Sequence, residues 1–332
     1  MQIIDKYRIN DVRTTKDFKT DTYNKFKKKD VFKLLYSQVK NQNIDNSNHW
    51  GAELIISGHL VELFEKIIEF YITEISIKNP KYIIYLWKQY EQFTEIANSL
   101  DDILEARNIL EIRNMFIDII TTITLCEQFA LPKIEKINIL EISHFSNIRI
   151  LFPSKEFLAP FLKTNDIPQI FTPINEIINH IKTPRNSSSD MIMYWLSWLV
   201  MWETEYIKKN NIGAMSERPN DKIEKIYWRD FVWLLWEIVI QEARVKNNET
   251  IVDIINKNYR FYVYYHNKKN KFKKIYFLIY SILIFIKPID FTINIYGSFE
   301  NYNKIILATA NVNSLYSYIQ TSKSENLLKN NI

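Results

Sequence analysis

Glycine is nearly missing from this chain: 332 residues contain four, Gly51, Gly58, Gly213 and Gly297. Without GxGxxG or GxxxxGK[ST] there is no Gly-rich loop whose backbone N–H groups could cradle phosphates, so composition argues against a nucleotide enzyme. A single cysteine, Cys126, excludes an internal disulfide and a Cys-based zinc site, and points to a reducing compartment. The five histidines (His49, His59, His144, His180 and His266) contain no HExxH pair. The longest apolar run, Ile275 to Ile286, has a serine inside it and stops at Lys287-Pro288, whereas a membrane span needs about 20 residues. It reads as a buried helix. Met1 to Lys6 lacks the apolar stretch of a signal peptide.

What is present is ordinary globular material with an uneven charge. The chain is 47% hydrophobic and 24% charged, which excludes disorder over most of its length. Net charge is +5. Residues 1–40 hold 11 Lys/Arg against 5 Asp/Glu, and residues 254–332 hold 11 against 3. Residues 41–253 hold 21 against 30, so two basic ends flank an acidic middle. Such asymmetry speaks to partners rather than to fold. The bias towards Ile, Asn and Lys is that of an AT-rich coding sequence, which accounts for part of the lysine excess without a ligand.

Periodicity reads as helix almost throughout. Val31, Leu34, Leu35, Gln38 and Val39 form an i, i+3, i+4 stripe, and Leu60 to Ile77 carries a broad apolar face. Asn79-Pro80 starts a further helix, since proline suits a first turn. Tyr259 to Tyr265 fits strand or helix, with neighbours that favour helix. Phe291, Ile293 and Ile295 alternate, as in a minor β hairpin over 289–297. Five prolines between 153 and 184 predict short helices and turns. The expected fold is all-α and multi-helix, helical-repeat or collar-like, with at most that hairpin. The expected domains are a basic N-terminal arm (1–29), a helical domain (30–149), a Pro-rich connection (150–190) and a second helical domain (191–332).

Three groups of residues stand out. Basic and aromatic residues interleave at Lys25, Lys27, Lys28 and Lys29 after Tyr23. They do so again at Lys257, Arg260, Lys268, Lys269, Lys271, Lys273 and Lys274. Phosphate contacts need cations and single strands need aromatic faces, so these are candidate contacts to nucleic acid or an acidic partner; a solvated lysine face is the alternative. Six of eight tryptophans fall between 195 and 236. Trp195, Trp198 and Trp202 share a helix face, and Trp233 and Trp236 lie one turn apart, giving either an aromatic core or a partner surface. Trp50, Glu53, Gly58 and Pro80 form a block read as structural. Glu62, Glu65 and Glu69 read as a solvated helix face, Cys126 as a core residue, and no metal site, cofactor or catalytic constellation is expected.

Two blocks carry a resemblance. Leu34-Leu35-Tyr36-Ser37, Asn48-His49-Trp50-Gly51-Ala52-Glu53-Leu54-Ile55-Ile56-Ser57-Gly58, Ile75 and Asn79-Pro80 make the first. Trp195, Trp198, Trp202-Glu203, Arg218, Asp230, Trp233 and Trp236-Glu237 make the second. Together they resemble an uncharacterised helical protein family of giant nucleocytoplasmic DNA viruses. The first block is also similar, over about 50 residues, to the helical C-terminal region of RarA/Mgs-type AAA+ proteins, an oligomerisation and collar-like domain of replication-associated ATPases. The ATPase motifs themselves are absent. Gln38-Val39 with Leu63-Phe64-Glu65-Lys66 more loosely resembles the helical-repeat domain of translation-initiation scaffolds.

These features imply a non-enzymatic scaffold or adaptor in the replication or repair machinery of a large DNA virus, cytoplasmic or in the virion. It would bind a protein partner, with nucleic acid as a further ligand and no membrane. A structural protein of the virion or virus factory is the alternative from another class, and a translation-initiation scaffold is a third.

Overall fold

A computed structural model describes residues 7–137, 151–152, 154–184, 188–266 and 271–321, with only the backbone of 271–273. The fold is all-α: among the described residues the only β pairing is an isolated bridge between Asp21 and Lys27. Residues 289–297 form turns instead of the expected hairpin, and Tyr259 to Tyr265 is helical.

The chain divides into two compact units, one up to Phe129 and again from Phe291 onward, the other Ala130–Asp290. This corrects the expected boundaries. The C-terminal stretch after Asp290 belongs with the N-terminal helices, and the Pro-rich stretch lies inside the second unit.

In the first unit α1 (Lys28–Lys40), α2 (Ile44–Ile56) and α3 (Leu60–Phe70) are followed by a π-helical turn (Tyr71–Ile75), α4 (Tyr82–Asn98), a 3₁₀ turn (Ile103–Asn108) and α5 (Leu110–Leu125). Helices α11 (Phe299–Ala310) and α12 (Val312–Thr321) complete it. The central element is α2, buried from Ser47 to Ile56 and packed against α1, α3, α5 and α12. The Asn43 side chain caps it by accepting from Asn46 N at 3.1 Å. Gly58, at φ +77°, ends it: Gly58 N donates to Ile55 O and His59 N to Leu54 O, the Schellman pair that a left-handed residue makes. Gly51 faces Ile120 of α5, where a Cβ would collide with its Cδ1. Asn48 and Thr121 exchange hydrogen bonds of 2.9 and 3.1 Å across the same seam.

The N-terminal segment is docked over its described part, which corrects its reading as an arm. Ile9, Phe18 and Phe26 are buried. Ile9 N donates to Asn108 Oδ1 (2.8 Å), and Arg113 Nη2 donates to Tyr7 O (3.0 Å). A tight turn bridged at Asp21 and Lys27 puts Lys25 at φ +64° and brings Asn24 against Glu53. Arg113 also donates to Asn313 Oδ1 (3.2 Å) and lies 4.5 Å from the Tyr316 ring, so one buried guanidinium holds both ends of this unit.

The second unit holds α6 (Phe171–Lys182), α7 (Ser189–Asn210), α8 (Val232–Lys246), α9 (Glu249–His266) and α10 (Lys271–Ile286), with 3₁₀ turns at Ala159–Phe161, Pro168–Ile170 and Lys225–Tyr227. Its core helix is α10, which packs on α6, α7, α8 and α9 and buries Phe277 to Leu283 almost completely. No helix among the described residues is long and apolar enough to cross a membrane. The prolines do not shorten α6, because Pro168 opens the 3₁₀ turn before it and Pro173 sits in its first turn, where no intrahelical N–H is needed. Asn211 and Asn247 end α7 and α8 in the left-handed region, which asparagine tolerates.

Candidate functional site

The titratable groups singled out in the sequence are mostly absorbed by packing. His49 is buried edge-on to Trp50 (4.9 Å), and burial pushes its pKa down to about 4. His59 is pushed equally low, by burial first and then by Lys28. His180 is fully buried and also lowered by burial; His144 lies outside the described residues. Burial raises the Cys126 thiol to about 11, the opposite of what a thiolate nucleophile needs. Among the described residues no group of three His, Cys, Asp or Glu side chains could hold a metal ion. Glu62 pairs with Lys28 (2.9 Å) and Glu69 with Lys66 (3.0 Å), as a solvated charged face does.

The block read as structural is buried. Trp50 is fully enclosed, with Phe26 edge-on at 5.5 Å. Glu53 is equally enclosed, and Pro80 is buried with its carbonyl accepting from the Tyr71 hydroxyl at 3.2 Å.

The basic residues disperse. Lys25, Lys27, Lys29 and Arg260 are exposed, Lys27 pairing with Asp21 (2.6 Å), and Lys257 pairs with Asp253 (3.5 Å). Lys274 is buried with its ammonium 5.6 Å from the Tyr262 ring centre, which corrects its place in a surface patch. Lys268 and Lys269 lie outside the described residues, as do the side chains of Lys271 and Lys273.

The tryptophans also need correction as a partner surface. Trp195, Trp198, Trp233 and Trp236 are buried. Trp202 is half-buried, stacked between Trp198 (6.0 Å) and Tyr206 (5.0 Å). Trp236 meets Tyr259 and Tyr262 edge-on at 5.3 and 5.4 Å, the geometry of an aromatic core.

Trp233 and Trp236 nevertheless lie directly beneath one wall of a groove. Two adjoining cavities of about 480 and 440 Å³ lie along α8, on either side of the Pro160-Phe161 ridge. Helical spacing brings Trp233, Glu237, Ile240, Gln241 and Arg244 onto the groove in turn, over about 16 Å of helix axis. The opposite wall is held by Arg218. Its Nη1 and Nη2 donate to Asp166 at 3.2 and 3.0 Å, its Nε donates to Glu237 Oε2 at 2.9 Å, and its remaining N–H groups reach Ser216 O and Phe161 O. Asp166 also accepts from Lys163 N and Ser216 N, both at 2.8 Å. Burial works to raise the Asp166 carboxyl, but Arg218 and those amides hold it below the usual range. The guanidinium is therefore a staple joining the 160–166 segment, the 214–218 segment and α8.

With Arg218 and Glu237 committed to each other, the groove offers apolar surface from Phe161, Leu162 and Ile240, with Glu237 and Gln241 along its α8 side. At one end Tyr259 Oη accepts from Asn220 Nδ2 (2.9 Å). Lys163 Nζ donates to Glu217 O (3.2 Å), and Arg244 is exposed at the rim. At the other end Lys182 pairs with Glu242 (2.6 Å). Arg218, Trp233, Trp236 and Glu237 were visible in the sequence as a block. Asp166, Lys163 and Arg244 were not, because nothing local marks their convergence.

No family model, curated protein or solved structure matches this chain.

Proposed function

We propose that this chain is a non-enzymatic helical scaffold that holds a segment of a partner protein in the groove along α8. The carrying observation is the groove itself: two adjoining hollows along α8, walled by Phe161 and Ile240, and built on an arginine whose charge is already met by Asp166 and Glu237. Two adjoining hollows of mixed apolar and polar lining along about 16 Å of one helix suit a polypeptide segment better than a compact metabolite. In the larger hollow Lys163 and Arg244 set the sign, favouring a segment that carries acidic residues among apolar ones there, while Glu156 in the adjoining hollow acts in the opposite direction.

The place of this scaffold in the nucleic-acid machinery of a large DNA virus rests on the resemblance of the two tryptophan-containing blocks. The exposed Arg260 is consistent with nucleic acid as a second ligand, but the groove, whose tryptophans are buried, provides no stacking platform for bases. The reading is tested by placing a photo-crosslinking residue at position 241, in the groove. It is supported if the adducts from cells converge on one acidic–apolar segment of one protein. Adducts scattered over many proteins would count against it.

A further inference from the structure

The charges around the groove are sorted by sign. Lys163 and Arg244 line the larger hollow and Glu156 lines the smaller one. All three are exposed, and none of them makes an ion pair among the described residues. The other charged groups pair with one another: Arg218 with Asp166 and Glu237, and Lys182 with Glu242. Three cations thus face two acids at the larger hollow, and two acids face one cation at the smaller. One hollow keeps an excess of positive charge, the other an excess of negative charge.

The fold keeps the two apart. Pro160, Phe161 and Gln241 line both hollows and carry no charge. On α8, Ile240 and Arg244 fall on one side of Gln241, and Glu242 and Val245 on the other. Successive helical residues are turned by about 100°, so Arg244 and Val245 face different hollows although they are neighbours in sequence.

We infer that the groove reads the charge order of its occupant. The segment it takes has an acidic side chain at one end, beside Lys163 and Arg244, and a basic side chain at the other, against Glu156. Its apolar side chains lie between, on Phe161 and Ile240. This rests on the groove receiving a polypeptide segment and adds which way round that segment lies. The reversed order sets an acid against Glu156 and a base against Arg244, a like-charge contact at each end, which is how an interface rejects a wrong register.

Double-mutant cycles test it. Peptides are selected against the full chain from a random displayed library. The consensus peptide is measured by fluorescence anisotropy beside one copy with its basic residue changed to Gln and another with its acidic residue changed to Gln. Glu156→Gln should weaken the consensus peptide about threefold and leave the copy without the base unaffected. Arg244→Gln should do the same for the acid, weakening the consensus about threefold and sparing the copy without it. The crossed combinations, Glu156 with the acid and Arg244 with the base, should be additive. Both side chains are exposed, so circular dichroism should be unchanged. A consensus of acidic and apolar residues alone, or Glu156 uncoupled from the peptide base, would overturn the charge order and leave the groove reading in place. A selection without an acidic–apolar consensus, or one uncoupled from Arg244, would overturn both.

Discussion

Asn24 donates to Glu53 twice, from its backbone N–H to Oε1 at 2.8 Å and from its side-chain amide to Oε2 at 3.0 Å, inside the protein. The same side chain reaches Ile319 O at 3.1 Å. One buried carboxylate on α2 thus holds the N-terminal turn, and through Asn24 the turn contacts α12. Burial raises the Glu53 pKa, and these hydrogen bonds together with Arg13 oppose the rise.

Glu53→Ala should therefore cost about 2–4 kcal/mol, because it leaves two buried amide donors unpaired. Urea unfolding measures the loss. Limited trypsin digestion should show new cleavage in the N-terminal turn of the variant, where Lys25, Lys27, Lys28 and Lys29 lie. A change within about 0.5 kcal/mol would mean that the segment is not held by this joint.

Trp50 is fully buried between Phe26 and His49, with α2 packed on four other helices. Trp50→Ala should cost about 3–5 kcal/mol, the usual range for deleting a large core aromatic. Measured by the same unfolding experiment, a near-neutral effect would show that this face of α2 is open to solvent.

His49 gives a pH dependence of definite sign. Its folded pKa is near 4, whereas an unfolded histidine titrates near 6.5. The unfolded chain thus takes up the proton first as pH falls. The contribution of His49 to stability is complete above about 6.5 and is lost between there and about 4. His59 acts in the same direction, while Glu53 and Asp118, raised by burial, act in the opposite one. Comparison with His49→Gln isolates the effect: the fall in Tm from pH 7 to pH 4.5 should be smaller in the variant than in the wild type. Equal falls would mean that His49 protonates freely in the folded chain.

Arg260 and Lys274 belong to one basic stretch of sequence but should behave as opposites. Lys274 is buried against Tyr262, so Lys274→Gln should lower stability by about 1–2 kcal/mol. Arg260 is exposed, and Arg260→Gln should cost less than Lys274→Gln. In gel shifts at two salt concentrations, the Arg260 change should reduce the salt slope by about 1 if this residue meets a phosphate. An unchanged slope would assign it to the solvated surface.

Local pattern carried most of the helices. The stripe from Val31 to Val39, the broad face after Leu60 and the run from Ile275 to Ile286 all lie where periodicity puts them, facing the core. What periodicity missed depends on contacts distant in sequence. The N-terminal segment is held by hydrogen bonds to Glu53, Asn108 and Arg113, and such docking leaves no apolar repeat. The return of the chain after Asp290 to α5 and α2 is likewise invisible from a window of neighbours. The stripe at Phe299, Tyr302 and Ile306 has the spacing of a core face, and only tertiary placement shows that it points outward. At the groove, Arg218 and Glu237 were recognisable, but Asp166 lies 52 residues before its arginine, so the staple could not be read from spacing.

The central claim, that the groove along α8 receives an acidic–apolar peptide segment, is tested most directly by peptide affinity. Peptides selected against the chain from a random displayed library would be measured by fluorescence anisotropy against the wild type, Ile240→Glu and Arg244→Glu. The expected result is a selected consensus of acidic and apolar residues, bound in the micromolar range, that loses at least about tenfold with either variant while helicity stays unchanged. Peptides with no acidic–apolar consensus, or a consensus bound equally by all three proteins, would contradict the account.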